Sequence, residues 1–177
     1  MVSMVKLTGS SASTSNNILS TSILDPNEVI TATISIRRQD PDGLKNHADG
    51  IINGTIKHTL TKTELKDVFG SAKEDLDIVE SYLTGFGMTV TDRFRSSGTF
   101  YISGSASQFN SAFQIELKSI ITSEGTFRTY DGELSIPDNL VGIILNVSNL
   151  DNLSVLKPMA VLGDIIACLL YTSPSPR

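Results

Sequence analysis

From Val29 to Arg37 the chain alternates: Ile30, Ala32, Ile34 and Ile36 fall on one side and Thr31, Thr33, Ser35 and Arg37 on the other. That period of two predicts a β-strand with one face in a core and one in water. Further on, Leu65, Val68 and Phe69, then Leu76, Val79, Leu83 and Phe86, then Phe109, Ala112 and Phe113 recur at helical spacing. Each stripe is preceded by a Ser/Thr-x-x-Glu/Gln pattern, Thr61 with Glu64, Ser71 with Glu74 and Ser105 with Gln108. In such a capping box the hydroxyl and the later side chain satisfy orphan backbone donors at a helix start. Gly70 and Gly87 end the first two stripes.

Between the helices the period returns to two. Met88 and Val90 oppose Thr89 and Thr91, Phe100 and Ile102 oppose Thr99 and Tyr101, and Ile115, Leu117 and Ile121 carry a further strand. Ser96-Ser97-Gly98 joins two of these as a hairpin. The order strand, helix, strand, strand, helix, strand predicts an α+β class with a ferredoxin-like split βαβ arrangement (β-α-β-β-α-β), an antiparallel sheet and two packed helices. An additional strand is expected over Thr126 to Tyr130 after the Glu124-Gly125 turn, and a last helix opened by Pro137 with the stripe Leu140, Ile143, Ile144 and Val147. The polar stretch Gln39 to Thr59 contains Pro41, Asp42-Gly43 and Asn53-Gly54 and predicts a long surface loop carrying two solvated histidines, His47 and His58.

Composition fixes the limits of this picture. A chain of 177 residues with 40% hydrophobic content supports one ordinary core. Its net charge of -5 and pI near 4.9 argue against a phosphate-tracking nucleic-acid binder. No membrane span is expected, because the apolar run Val161 to Tyr171 is short and interrupted by Asp164. Residues 1–24, rich in Ser, Thr and Asn and without the apolar centre of a signal peptide, are expected to be a disordered arm, with order beginning at Asp25-Pro26. Residues 168–177, Cys168 to Arg177, are what TGT CTC TTA TAC ACA TCT CCG AGC CCA CGA encodes, and read as a transposon end joined to a sequencing adapter. The sole cysteine, Cys168, lies in that stretch, so no disulfide or thiolate metal site is expected from the rest.

Three groupings imitate chemistry. Gly85-Phe86-Gly87 has no third glycine and ends a helix, so it reads as a cap and not as a dinucleotide loop. Glu74, Asp75, Asp77 and Glu80 stand in the first turns of a helix, where acids complement the positive dipole end and form a solvated face. Ser97-Gly98-Thr99 falls in a hairpin turn with Phe100 next, and carries no catalysis.

A set of short words runs in order along the same chain: Phe69-Gly70 before the helix holding Val79 and Leu83, Gly87-Met88-x-Val90, Ser103-Gly104 followed by Ala112-Phe113, Ile136-Pro137, and Leu150-Asp151-Asn152. Over residues 25–152 this resembles the pro-segment of the sedolisin family, the acid-active serine-carboxyl peptidases that include the tripeptidyl peptidases. Ser148-Asn149 stands where a Gly before the Leu-Asp step is usual. The resemblance implies an activation pro-domain that acts as intramolecular chaperone and inhibitor of its own catalytic domain, its partner, in a zymogen of an extracellular or acidic compartment. It implies docking through the uncovered sheet face, here Thr31, Thr33, Ser35, Thr89, Thr91 and Tyr101, and an inhibitory linker over residues 153–167 that begins Leu153, Ser154, Val155, Leu156 and Lys157. It also implies that catalytic Glu, Asp and Ser and a calcium site belong to a catalytic domain downstream, so that no catalytic, cofactor or metal residue falls in this fragment. Carboxylates paired across the docking face are expected to weaken docking on acidification. The alternative is a stand-alone ferredoxin-like binding module or peptidase inhibitor.

Overall fold

A computed structural model describes residues 3–12 and 17–153. In chain order its strands are β1 (Met4–Lys6), β2 (Ile18–Ile23), β3 (Val29–Ile36), β4 (Thr89–Phe94), β5 (Thr99–Ser105), β6 (Leu117–Thr122), β7 (Gly125–Tyr130), β8 (Ser135–Pro137) and β9 (Ile144–Ser148). The helices are α1 (Pro41–Ile52), α2 (Lys62–Phe69), α3 (Lys73–Gly85) and α4 (Ala106–Phe113), with a 3-10 turn at Asp138–Leu140. The main sheet has the order β4-β5-β3-β9 and is antiparallel throughout. With α3 and α4 supplying the helices, this is the ferredoxin-like β-α-β-β-α-β arrangement, and the class is α+β.

The core lies between this sheet and its helices. Ile30, Ala32, Ile34 and Ile36 of β3 and Phe100 and Ile102 of β5 meet Leu76, Val79 and Leu83 of α3 and Phe109, Ala112 and Phe113 of α4, all buried. Tyr82 ties the helices together by donating its hydroxyl to the carbonyl of Ala112, and burial pushes its pKa up to about 12. The β4–β5 turn presses onto β3 at Gly98, whose φ is +68° and whose absent Cβ would lie 2.5 Å from the Ile36 carbonyl oxygen and 2.6 Å from Ser71 Oγ. Glycine is required there by both sign of φ and space.

Capping boxes form at Thr61–Glu64 and Ser105–Gln108. The one expected at Ser71–Glu74 does not. The N-cap of α3 is Ala72, without a side-chain bond, and Ser71 Oγ is buried with no hydrogen-bond partner among the described residues. A cap contributes about 1 kcal/mol, whereas burying each of Leu76, Val79 and Leu83 contributes about 1.5–3 kcal/mol, so packing places this helix and the cap does not.

Four further expectations are corrected. The stretch from Gln39 to Thr59 is not all loop: Pro41 takes the first helical turn and Asp40 accepts the Gly43 N–H at 2.7 Å, which starts α1. The turn formers there open a helix. No residue of α1 is fully buried; His47 is half-buried, its ring 6.1 Å from that of Phe69, and His58 remains exposed beside Glu64 at 3.2 Å.

The helix expected after Pro137 is one 3-10 turn followed by β9, which supplies the fourth strand of the main sheet. Gly142, at φ +77°, interrupts the helical path. Ile36 pairs with Ile144 and Ser35 with Asn146, so Leu145 is an extra residue in a bulge that brings both Ile144 and Val147 inward. The bulge turns a period of two into a spacing of three, which imitates a helix.

The strand around Leu117 therefore belongs to a second sheet of order β2-β6-β7. Finally, the amino-terminal stretch expected to be disordered contains two strands, β1 paired with β8 and β2 paired with β6. Ser10 is buried there, donating to the Leu7 carbonyl at 2.6 Å and accepting the Leu134 N–H at 2.8 Å. Backbone bonds along an open strand edge do not require apolar side chains, so composition alone misjudged this segment.

Candidate docking face

β3 and β5 bury alternate residues against the helices, which leaves the intervening ones on the other face of the sheet. Thr31 stands opposite Ser103, Thr33 opposite Tyr101 and Ser35 opposite Thr99. Across the far side of β3, Thr33 faces Ser148 and Ser35 faces Asn146. On β4, Thr89 lies opposite Ser103. A bulge between Val90 and Asp92 sets Thr91 out of register, and its hydroxyl donates to the Tyr101 carbonyl at 3.1 Å. Five of the six residues expected on this face thus lie in strand register beside one another, and Thr91 joins them through the bulge.

The face is less uniformly polar than its Thr and Ser positions suggested. Beyond the bulge, Phe94 pairs with Thr99 and packs edge-on against Tyr101, ring centroids 5.9 Å apart at 88°. Phe94 is 46% and Tyr101 40% exposed, and Leu145, at the β9 bulge, is 56% exposed. An aromatic pair rimmed by hydroxyls and amides is the composition typical of a protein-binding patch. Phe94, Leu145, Asp92 and Asn146 were missed from the sequence because both bulges shift the alternation that would have revealed them. Asn146 donates to Ser148 Oγ at 2.9 Å and Asn149 to Thr33 Oγ1 at 3.4 Å, which fixes the amides at the β9 edge.

The acidic cluster of α3 lies elsewhere. Arg93, directed to the helix side, bonds Asp77 at 2.7 Å and Glu80 at 2.8 Å and sits 5.8 Å over the Phe100 ring, while Lys73 reaches Asp77 at 2.8 Å. Asp75 takes both Nε and Nη2 of Arg37, at 2.6 and 3.0 Å. Hydrogen bonds from Lys73 and Arg93 lower the pKa of Asp77. Three of the four residues in the acidic cluster are therefore engaged in holding α3 to β3 and β4, and the expectation of carboxylates paired across the docking face meets a face whose strands offer Asp92 opposite Tyr101. Among the described residues no three His, Cys, Asp or Glu side chains converge to hold a metal ion. No described helix is long and apolar enough to cross a membrane.

Of the linker residues, Leu153 is half-buried at the end of the described chain, and Ser154, Val155, Leu156 and Lys157 lie outside the described residues. The Ser97-Gly98-Thr99 segment is the tight β4–β5 connection.

Geometry thus defines a ferredoxin-like α+β domain with one sheet face covered by helices and the other left open by the described residues. The family model of the pro-kumamolisin activation domain matches residues 16–153, and the chain belongs to that family. The match begins inside the amino-terminal region, just ahead of β2. Kumamolisin of Bacillus sp. (strain MN-32) is 25% identical over 131 residues, which cover 73% of this chain and 24% of that relative. The chain thus spans about a quarter of the curated relative's length. As an activation domain it has the role of a peptidase pro-segment.

Proposed function

We propose that this chain is the activation pro-segment of a sedolisin-type serine-carboxyl peptidase precursor, acting as folding template and inhibitor of the catalytic domain of the same polypeptide. The observation that carries the reading is the family match over residues 16–153, which takes in the whole main sheet and its open face. Docking uses Thr31, Thr33, Ser35, Thr89, Thr91 and Tyr101 together with Phe94, whose half-exposed ring beside Tyr101 supplies the apolar centre. The segment from Leu153 through Lys157 then leads toward the active-site cleft and obstructs it until cleaved. The reacting Glu, Asp and Ser and a calcium site belong to the catalytic domain, and the precursor is of the acid-active, exported kind.

The test is a titration of the purified chain against the catalytic domain encoded downstream in its gene, with Phe94→Asp as the comparison. Tight inhibition by the native chain and loss by the variant are expected. Absence of a peptidase domain downstream, or a folded chain that neither binds nor inhibits it, would overturn the reading in favour of a stand-alone binding module.

A further inference from the structure

Arg128 on β7 is the most heavily engaged side chain near the point where the described chain ends. Its Nε donates to the Leu150 carbonyl at 2.8 Å, its Nη2 to the Asn149 carbonyl at 3.1 Å and its Nη1 to Glu28 Oε1 at 3.1 Å. The backbone of the same residue completes the set: its N–H donates to Asn152 Oδ1 at 2.5 Å and its carbonyl accepts the Asn152 N–H at 3.1 Å. The Arg128 side chain is only 16% exposed, so its bonds to the Leu150 carbonyl and to Glu28 are partly shielded from competing water, while the one to the Asn149 carbonyl faces solvent. The segment it holds is a tight turn. Asn149 has φ +68°, a left-handed conformation that a non-glycine residue keeps only when its surroundings fix it, and Leu150 is anchored in the core.

We propose that Arg128 is a positioning residue, a clasp that sets the point and direction at which the chain leaves the domain; its consequence for the linker rests on the pro-segment reading above. One planar guanidinium reaches two successive carbonyls and a carboxylate at once, which a lysine ammonium on a flexible stem does not reproduce. Glu28 precedes β3, and its own carbonyl accepts the Ala106 N–H at the start of α4, so the clasp refers the exit to the main sheet and not only to β7. Lys157 stands five residues beyond Asn152, a reach of at most about 18 Å when extended. Over so short a span the launch direction decides which part of the partner the linker meets. The site therefore regulates presentation of the linker, separately from the face that docks.

Site-resolved hydrogen exchange on the 177-residue chain tests this, comparing native protein with Arg128→Lys, Arg128→Gln and Glu28→Gln. In both Arg128 variants the Asn152 amide, itself bonded to the Arg128 backbone carbonyl, should exchange roughly tenfold faster or more, because a turn released from the charge-assisted bonds at Asn149 and Leu150 opens more often, with Ile34 and Ile102 unchanged. Glu28→Gln, which keeps both carbonyl contacts, should stay near native. Native-like exchange at Asn152 in Arg128→Lys would overturn the clasp, as would acceleration spread equally to Ile34 and Ile102, the mark of a merely structural role. Should the Arg128 variants fail to fold, exchange of the Arg128 Nε–H in the native chain is read instead: slow exchange, as for a proton held by the Leu150 carbonyl, supports the clasp, and exchange as fast as that of a free arginine overturns it. Exchange is measured without any partner, so failure of the docking titration leaves this result standing, and a normal exit in Arg128→Lys sinks the clasp whatever the chain binds.

Discussion

The two faces of the four-stranded sheet are made by the same strands and ask opposite things of their residues. On the helix side, Ile30, Ala32, Ile34, Phe100 and Ile102 are sealed under α3 and α4, and the charged residues there are paired within the chain, as Arg93 is with Asp77 and Glu80. On the open side, Thr31, Thr33 and Ser35 alternate with those same residues, and the Phe94–Tyr101 pair stays half in water. One face closes the fold; the other stays in contact with water. On the docking role proposed above, hydroxyls tolerate hydration before docking and accept hydrogen bonds afterwards, whereas an entirely apolar open face would invite aggregation.

The largest effect should come from breaking the covered face. Phe109→Ala removes a fully buried ring stacked against Phe113, and truncations of this kind cost about 3–5 kcal/mol, a large part of the stability of a domain this size. Urea unfolding should show a midpoint far below native, or no folded baseline. The corresponding substitution on the other side, Phe94→Ser, should leave unfolding within about 0.5 kcal/mol, because the ring is already 46% exposed. If Phe94 is a docking anchor, the same variant should weaken inhibition by about 2 kcal/mol or more, roughly thirtyfold. A variant that destabilises strongly without changing affinity would reverse the assignment of the two faces.

Smaller effects separate the helix starts. Ser105→Ala removes the side-chain acceptor for the Gln108 N–H and should cost about 1 kcal/mol in urea unfolding. Ser71→Ala should cost nothing or stabilise slightly, since its hydroxyl is buried without a partner among the described residues. Equal losses in the two variants would restore the capping role that the spacing Ser71–Glu74 suggested.

How far the chain could be read follows from how each signal is generated. The ferredoxin-like order was legible because β3, α3, β5 and α4 carry long unbroken periods, and the polar half of the open face came with it. What escaped was local and has one cause in each place. Bulges at Thr91 and Leu145 moved Phe94 off the expected alternation and gave β9 a helical spacing. The amino-terminal strands are held by backbone pairing to β6 and β8, which side-chain composition does not report. Arg128 carries no sequence pattern at all, since its partners at Glu28 and at 149–152 are distant in the chain.

The smallest expected effect concerns acid, and it belongs to the helix side of the molecule. Glu64 accepts hydrogen bonds from the Thr61 backbone and hydroxyl and meets His58, which together lower its pKa from 4.5 to about 2. Asp77 is lowered in the same direction by Lys73 and Arg93. A carboxylate with a depressed folded-state pKa contributes stability that is complete above its unfolded value and is lost as pH falls through the folded one. Between pH 4.5 and about 2, unfolding should therefore take up protons, and the urea midpoint should fall with pH. Because both groups are solvent-facing, the change should be modest and should shrink in high salt. Glu64→Gln keeps an acceptor for the Thr61 donors but cannot titrate, so it should flatten the pH dependence in that window while Phe94→Ser leaves it intact. An unchanged slope in Glu64→Gln would show that the acid response arises elsewhere, and a slope altered by Phe94→Ser would place it on the open face after all.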